Sequence, residues 1–491
     1  MKKNQPTEWP EIVLSSSVAR LSQAVRRAIK SGKLRKIATR VYTSNFSDSP
    51  EEIIKRHRYF LLSKLFPNAV ISYRSALVGG ISSEGTVILT YKYTKSVELP
   101  GLCIRLVKGP GPDPEDTPFL EGLFIASQGR AFLENMQKSR QKTKEKKSLS
   151  LDEIEHRLDR LIRVIGIEEV NKIRDQARRV AERLHMLGEF SALDKMIGAL
   201  MGTRAVDVLV TESGKARAKG APFDAARIDL FASLSAYLIQ AELPVLPSST
   251  KTIQAKTTFA FFEAYFSNYI EGTEFAIEEA ESIVFENKIF PDRPEDSHDI
   301  LETYRIVSND QFMHTVPRSD DELVSLLLER HAMLMQARAD KLPGKFKNVV
   351  NRAGNTVFVK PEEVQGTLRK GYEFYQKLKP GFARAIFIKF LISEIHPFLD
   401  GNGRVARIFM NAELESCNLC RIIIPTVYRE DYLLALRKLS RAYDPAPYTR
   451  MLLTALAFSH SIAFDNYSQA LIQLRASNAF MEPSEGKLRF Q

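Results

Sequence analysis

The chain has 491 residues, 44% hydrophobic and 26% charged, so a soluble globular protein of two to four domains is expected. Three cysteines argue against a disulfide framework and favour a reducing compartment. We find neither a signal-peptide core nor an apolar run long enough to span a membrane, so we expect a cytoplasmic protein without membrane partners.

The net charge of +11 is concentrated in two stretches. Residues 1–45 hold ten basic groups against two acidic ones, and residues 137–147 hold six against one. Basic charge at this density suits a phosphate backbone. We interpret residues 137–147 as a solvated linker, whereas residues 1–45 remain a candidate nucleic-acid surface.

A short basic helix and a following hairpin are predicted near the start of the chain. Val18 to Lys30 has the apolar period of a helix, and Lys33 to Thr43 alternates like a pair of strands. Together with Ile71 to Gly80, this pattern resembles the end of the winged helix and the following part of AbiEi-type antitoxins. The resemblance covers roughly residues 15–130.

The resemblance implies two N-terminal regions. Residues 1–46 would be a partial winged-helix-like basic segment, and residues 47–147 a small α+β region. Within the second, the patterns predict a helix over residues 48–66 and strands over 86–107. A DNA-binding or antitoxin-like regulator is therefore one alternative for the function, and a packing or interaction domain explains the pattern equally well.

A helical connector is expected over residues 148–222. Ser150 and Glu153 have the spacing of a capping box, which predicts a helix that runs to about Ile165. The stretch from Ser213 to Pro222 consists of small and basic residues, and it is predicted to be a second linker.

The region over residues 223–320 reads as helices, of which one is rich in aromatic residues. That helix runs from Thr257 to about Glu271. Within it, Ser267 and Glu271 are one helical turn apart and therefore face the same way.

The segment before the most informative motif is predicted to hold a buried helix and a hairpin. Leu323 to Ala337 is apolar and carries His331, which we interpret as a core histidine. Residues 345–350 and 356–360 are predicted to pair around a turn at Asn351–Asn355.

The most informative stretch runs from His396 to Arg407, HPFLDGNGRVAR. The apolar run from Phe382 to Ile395 predicts a buried helix, which Pro397 ends. A second helix is predicted from Arg404 to Glu415. The glycine-containing bend between the two helices therefore lies at a helix N-terminus, where backbone N–H groups favour an anion such as phosphate.

The residue types in this bend point to phosphate chemistry. Arg404 and Arg407 are three residues apart and share a helix face, so two guanidinium groups point towards the same anion. Asp400 offers a carboxylate suited to Mg²⁺ held jointly with phosphates. His396 offers a base that titrates near neutrality. The alternative is a plain helix–turn–helix with surface ion pairs.

The stretch is similar to the signature of the Fic family, His-Pro-Phe-x-Asp-Gly-Asn-Gly-Arg-x-x-Arg, at every specified position. The resemblance implies transfer of AMP from ATP to a Ser, Thr or Tyr hydroxyl of a target protein. His396 would be the catalytic base and Asp400 the Mg²⁺ ligand. The resemblance also implies an ATP site in which Arg404 grips the β-phosphate and Arg407 the γ-phosphate, with the remaining contacts from Gly401, Asn402 and Gly403.

The resemblance also gives meaning to two upstream elements. Ser267 and Glu271 match the inhibitory motif of Fic proteins, which implies autoinhibition by Glu271 through pairing with Arg407. The hairpin matches the flap that holds the target segment by strand addition, which implies a docking role for Thr356, Val357 and Phe358.

The predicted fold is mainly α. An all-helical Fic core with a β-hairpin flap occupies residues 321–476, a loose tail follows over 477–491, and a small α+β region and the helical connector come first. A de-AMPylase or a phosphotransferase could use the same site, and a homodimer is left open.

Overall fold

The computed structural model describes residues 9–15, 18–137 and 146–490. The protein is mainly helical with small sheets, as the sequence predicted. Its contacts divide it into two compact units, of which the first ends at Gly220 and the second begins at Ala221. Among the described residues, no helix combines the length and the apolar character needed to cross a membrane.

The first unit opens with one helix on a three-stranded antiparallel sheet of order β1-β3-β2. The elements are β1 (Ile12–Leu14), α1 (Ala19–Lys30), β2 (Arg35–Ala38) and β3 (Val41–Thr43). Val25 and Ala28 of α1 pack against Val13 and Leu34, which leaves the opposite side of the helix in solvent. The predicted basic helix and the hairpin after it are confirmed.

A six-stranded mixed sheet follows, with strand order β6-β7-β5-β4-β9-β8. The parallel pairs are β5 with β7 and β4 with β9. The predicted helix over residues 48–66 and the predicted strands over 86–107 are confirmed. The elements are α2 (Pro50–Leu65), β4 (Ala69–Ile71), α3 (Tyr73–Val78), β5 (Thr86–Tyr91), β6 (Lys95–Leu99), β7 (Leu102–Lys108), β8 (Thr117–Leu120), β9 (Leu123–Ile125) and α4 (Gln128–Met136).

Four helices complete the first unit, namely α5 (Leu151–Ile165), α6 (Ile167–Leu184), α7 (Leu187–Leu200) and α8 (Glu212–Ala218). The capping box of Ser150 and Glu153 is present. The expectation of a linker from Ser213 is wrong up to Ala218, because the Thr211 hydroxyl caps a helix there by accepting the Gly214 N–H. In the predicted basic linker, residues 138–145 lie outside the described residues.

The second unit is built around the helix Phe382–Ile395 (α16), which is mainly apolar and mostly buried along its length. The hairpin pairs Arg352–Ala353 with Thr356–Val357. The elements are α9 (Ala225–Gln240), α10 (Ile253–Ile270), α11 (Ile277–Glu286), α12 (Pro294–Val307), α13 (Asp310–His314), α14 (Asp320–Leu334), β10 (Arg352–Ala353), β11 (Thr356–Val357), α15 (Val364–Gln376), α16 (Phe382–Ile395), α17 (Asn402–Ser416), α18 (Arg429–Ala442), α19 (Pro445–Ser461) and α20 (Tyr467–Ala476).

Two expectations for this unit are wrong. Residues 345–350 do not form the first strand of the hairpin, because their backbone is used elsewhere: the Lys347 N–H donates to the Pro397 carbonyl at 2.9 Å. The segment after Ala476 is not loose in its described part, since Ala479 is fully buried and Phe480 packs on α10.

Candidate active site

The loop between α16 and α17 is closed by one side chain. Asn402 accepts the Phe398 N–H through Oδ1 and donates to the Phe398 carbonyl through Nδ2, both at 2.9 Å. Gly401 has a left-handed backbone with φ of 73°, which a side chain would strain. The loop amides therefore lie at the N-terminus of α17. The Asn402 side chain holds the loop through these two hydrogen bonds to Phe398, and its contact with phosphate stays a prediction.

His396 ends α16 in a left-handed conformation, with φ of 54°. Its Nδ1 lies 3.3 Å from the Ser393 carbonyl oxygen. A carbonyl only accepts, so Nδ1 carries the proton and Nε2 keeps its lone pair. Burial lowers the pKa of His396 to about 4, and the nearby charge of Lys347 acts in the same direction. The ring is therefore a neutral base at physiological pH.

The flap reaches His396 directly. The Phe358 ring stacks on the imidazole with centroids 3.9 Å apart and an interplanar angle of 7°. Thr356 accepts a hydrogen bond from Arg441 at 3.2 Å, and the Val357 carbonyl accepts one from Arg227 at 2.9 Å. Phe358 therefore lies against the base and Thr356 lines the same cavity, whereas the Val357 carbonyl is engaged by Arg227.

The stem of the flap is fastened to the loop by two residues that the sequence did not single out. Lys347 Nζ donates to Asn351 Oδ1 at 2.7 Å, and Asn351 Nδ2 donates to the Phe398 carbonyl at 2.9 Å. Burial lowers the pKa of Lys347 to about 7. Their polarity alone gave no signal, because the contact joins segments about 50 positions apart in the chain.

His331 supports the loop from the other side, as a core histidine should. Its ring stacks on Phe398 with centroids 3.7 Å apart. Nδ1 accepts the Gly344 N–H at 3.1 Å, so Nε2 carries the proton that it donates to the Asp400 carbonyl at 3.2 Å. Burial lowers its pKa to about 4, which keeps this tautomer neutral.

Asp400 presents a half-exposed carboxylate beside the loop, with 41% of its side chain accessible. Oδ1 accepts the Gly401 N–H at 2.6 Å and lies 3.8 Å from Arg404. Both contacts use Oδ1, so Oδ2 remains available as the oxygen ligand that Mg²⁺ prefers. The residues present therefore fit the predicted metal.

Arg404 is held in a buried ion pair that sequence reasoning missed. Its Nη1 lies 2.6 Å from Asp299 of α12, and both side chains are at most 3% exposed. Asn268 of α10 also accepts from this guanidinium at 3.3 Å. Arg338 binds the same Asp299 carboxylate at 2.9 Å. The position of Arg404 is therefore fixed by α10 and α12, and its guanidinium is not turned to bulk solvent.

Arg407 contacts both predicted inhibitory residues. Its Nε donates to Ser267 Oγ at 2.9 Å, and its Nη2 donates to the Ser267 carbonyl at 2.8 Å and to Glu271 Oε1 at 2.7 Å. Burial opposes the ionisation of Glu271, but the charges of Arg407 and Arg404 outweigh it and lower the pKa of this carboxyl. Glu271 therefore lies in the site as a carboxylate.

Glu271 occupies the space above the first turn of α17. A Cβ added at Gly403 would overlap its carboxylate, so glycine leaves a cradle that an anionic group fills. The negative charge also suits the positive end of the helix dipole. The sequence predicted an anion at this helix N-terminus, and the structure places the chain's own carboxylate there.

A cavity of about 270 Å³ adjoins these groups. Its inner wall carries Glu271, Gly403 and His396, and Phe358 belongs to the flap side. The remaining wall is formed largely by α18, with Leu433, Leu436, Arg437 and Ser440. The cavity therefore joins the imidazole, the anion cradle and an amphipathic helix face.

Comparison with known proteins places the loop between α16 and α17 within a family match. The model of the Fic/DOC family matches residues 323–414, which contain the whole loop. A Fido domain-containing protein of Dictyostelium discoideum is 32% identical over 121 residues, which are 23% of this chain and 84% of that protein. The Protein adenylyltransferase Fic of Nematostella vectensis is 24% identical over 197 residues, and the match spans 38% of this chain but only 45% of that relative.

Among solved structures, Fic-1 from C. elegans is similar over 66% of this chain and 94% of its own. The sequence identity is 17% and the TM-score is 0.37. The resemblance of residues 15–130 to AbiEi-type antitoxins stays a prediction. On its sequence match to the Dictyostelium protein and on the family model, the chain belongs to the Fic/DOC family.

Proposed function

We propose that the protein is an adenylyltransferase that moves AMP from ATP to a Ser, Thr or Tyr hydroxyl of a target protein. One observation carries the proposal. A neutral imidazole and a cradle built for an anion open into the same cavity. The similarity to an adenylyltransferase of Nematostella vectensis supports the same reaction class.

In the proposed reaction, Nε2 of His396 accepts the proton of the target hydroxyl as the oxygen attacks the α-phosphorus. The bond from the α-phosphorus to the bridging oxygen breaks, and pyrophosphate leaves. The amides at the start of α17 stabilise the charge that develops on the phosphates. A positioned base of this kind typically contributes ~10²–10⁴-fold to the rate.

ATP would be held in the cavity by α18 and by charged groups that lie next to it. Arg404 and Arg407 would bind the β- and γ-phosphates, and α18 would line the nucleoside end with Leu433 and Leu436. Asp400 would hold Mg²⁺, which supplies positive charge to the phosphates when it is bound. The flap would align the target segment beside His396.

We further propose that the observed position of Glu271 is the inhibited state. Its carboxylate pairs with Arg407 where the γ-phosphate is expected to bind. ATP that enters beside it would be displaced from in-line geometry, and an error of ~1 Å costs ~100-fold in rate.

The test replaces Glu271 by Gly and follows label from α-phosphate-labelled ATP into the protein itself and into lysate proteins. We expect a rise of up to ~100-fold. Glu274→Gly is the matched control, because this exposed carboxylate lies three residues away, outside the site. Equal rates for the wild type and Glu271→Gly at saturating ATP would refute the inhibited state.

A second candidate function is duplex nucleic-acid binding by the first unit, and one observation favours it. Residues 18–40 contain eight Lys or Arg residues and no acidic residue. Arg20, Arg26, Arg27 and Lys30 occupy the face of α1 opposite its buried residues, and none of them forms an ion pair within the described part of the chain. The positive charge on this outward face favours phosphates.

A gel-shift titration of the full chain against duplex DNA tests this second function. Replacing both Arg27 and Lys30 by Ala is expected to reduce the slope of log affinity against log salt by about 2, because each lost phosphate contact contributes about 0.9. The control replaces Lys172 and Arg178, which are paired with acidic residues on α6. An unchanged slope, or binding to anionic vesicles instead of DNA, would reject the proposal.

A further inference from the structure

The residues after α20 cover one face of α10, the helix that carries the inhibitory motif. We call residues 477–490 the distal segment. The ring of Phe480 lies 5.1 Å from Phe266, 5.6 Å from Tyr265 and 6.4 Å from Phe262, measured between centroids. Tyr265 and Phe266 come three and four positions after Phe262, so the three rings lie on one side of the helix.

A polar contact lies one turn further along this side of the helix. The Tyr269 hydroxyl donates to Glu482 of the distal segment at 2.6 Å. Tyr269 lies between the two motif residues in sequence, but a helix turns 100° per residue. Ser267 and Glu271 therefore lie on the side opposite Tyr269, where they contact Arg407. The distal segment and Arg407 hold α10 from opposite sides.

The distal segment has an ordered structure of its own. Asn478 Nδ2 donates to the Lys487 carbonyl at 3.0 Å, and the Arg489 N–H donates to the Ser477 carbonyl at 3.1 Å. These bonds close the segment into a loop whose inner face presents Phe480 to α10. The ring of Phe490 packs instead on Phe458 of α19, 6.0 Å away. One part of the segment therefore braces α10, and another part anchors it elsewhere.

We infer that the distal segment is a brace that sets the strength of autoinhibition. The distal segment contacts α10 while Glu271 is paired with Arg407. It therefore stabilises this inhibited position of α10 relative to a position in which the Glu271 carboxylate has left the cradle. Displacing the segment then releases Glu271 and activates AMP transfer. The inference rests on the proposed function and adds a second surface, remote from ATP, through which the site is controlled.

The test is a double-mutant cycle between the brace and the carboxylate. Phe480→Ala and Tyr269→Phe are each made in the wild-type chain and in Glu271→Gly, and label from α-phosphate-labelled ATP is followed into the protein itself. Phe480→Ala is expected to raise the wild-type rate about tenfold, because lost aromatic pairs shift a two-state equilibrium by roughly that factor. In the Glu271→Gly background the same change is expected to alter the rate less than about twofold, since no carboxylate is left to release.

Ile472→Ala is the matched control, because it removes an apolar side chain of α20 that is 67% exposed and lies just before the distal segment. It should leave the wild-type rate unchanged. If a thermal melt shows that Phe480→Ala is not folded, Tyr269→Phe serves as the test of the brace. This variant keeps the ring and removes only the hydrogen bond to Glu482. If Glu271→Gly transfers label but neither brace variant raises the rate of the wild-type chain, the inference is overturned and the proposed function stands. If Glu271→Gly transfers no label, the proposed function is overturned as well.

Discussion

At the scale of single residues, the chemistry depends on the protonation of His396. Burial places its pKa near 4, below its ordinary value of 6.5. A lowered pKa keeps the base form available as pH falls, so kcat/KM for ATP, which reports the free enzyme, should stay flat from pH 7.5 to 5.5 in the Glu271→Gly variant. An unshifted imidazole would instead reduce kcat/KM to about a tenth at pH 5.5. The pH profile of label transfer distinguishes the two outcomes.

Among the residues that do not contact ATP in the proposed reaction, Asp299 is the one whose loss should destabilise the protein most. Its carboxylate and Arg404 are both buried, and Arg338 shares it. Asp299→Ala would leave the buried Arg404 cation without its nearest carboxylate, so we expect the free energy of unfolding to fall by about 3–5 kcal/mol. Denaturant titration measures this change. Glu295→Ala is the control, since that carboxylate meets Arg338 at the surface, and an equal loss in both variants would contradict the account.

At the scale of elements, the first turn of α17 must leave room for an anion. A methyl group at position 403 would fill the space that the Glu271 carboxylate now uses. In the Glu271→Gly background, Gly403→Ala is therefore expected to lower AMP transfer by ~100-fold, because the phosphates lose their in-line position. The label assay measures the rate, and an undiminished rate would show that phosphate binds elsewhere. Gly188→Ala, at an exposed site on α7 with open space around it, controls for the added methyl group.

The elements themselves were predictable where local patterns decide them. The helical spacing of apolar residues predicted α16. The residues that flank the bend predicted the end of α16 at Ile395 and the helix that follows. The pairing of Glu271 with Arg407 was also expected, from the family motif. Asp299 and Lys347 were not, because each acts through a partner far away in the chain that composition and period do not reveal. The hairpin register was wrong for the same reason.

At the scale of the whole molecule, the groups of the proposed reaction all lie in the second unit. A fragment of residues 221–491 is therefore expected to keep AMP transfer within about threefold of the full chain, as an independently folding domain would. It should also lose any affinity for duplex DNA. Parallel label and gel-shift assays on the fragment and the full chain check this division. Loss of transfer in a folded fragment would show that the first unit contributes to catalysis.

The first unit shows where sequence reasoning reached its limit. Charge and period were enough to predict the basic helix, its hairpin and the strands that follow. They did not predict the order of the six-stranded sheet, since its parallel pairs, β4 with β9 and β5 with β7, join strands that do not follow each other in the chain. The nucleic-acid partner of this unit is inferred from its surface charge and not from its fold, so its function is a proposal.

The most direct measurement compares ATP labelled on the α-phosphate with ATP labelled on the γ-phosphate, in Glu271→Gly and in Glu271→Gly with His396→Ala. The account predicts that protein acquires label only from the α-phosphate and that the second variant loses this transfer while it still binds ATP. Label acquired from the γ-phosphate, or α-label acquired without His396, would contradict it.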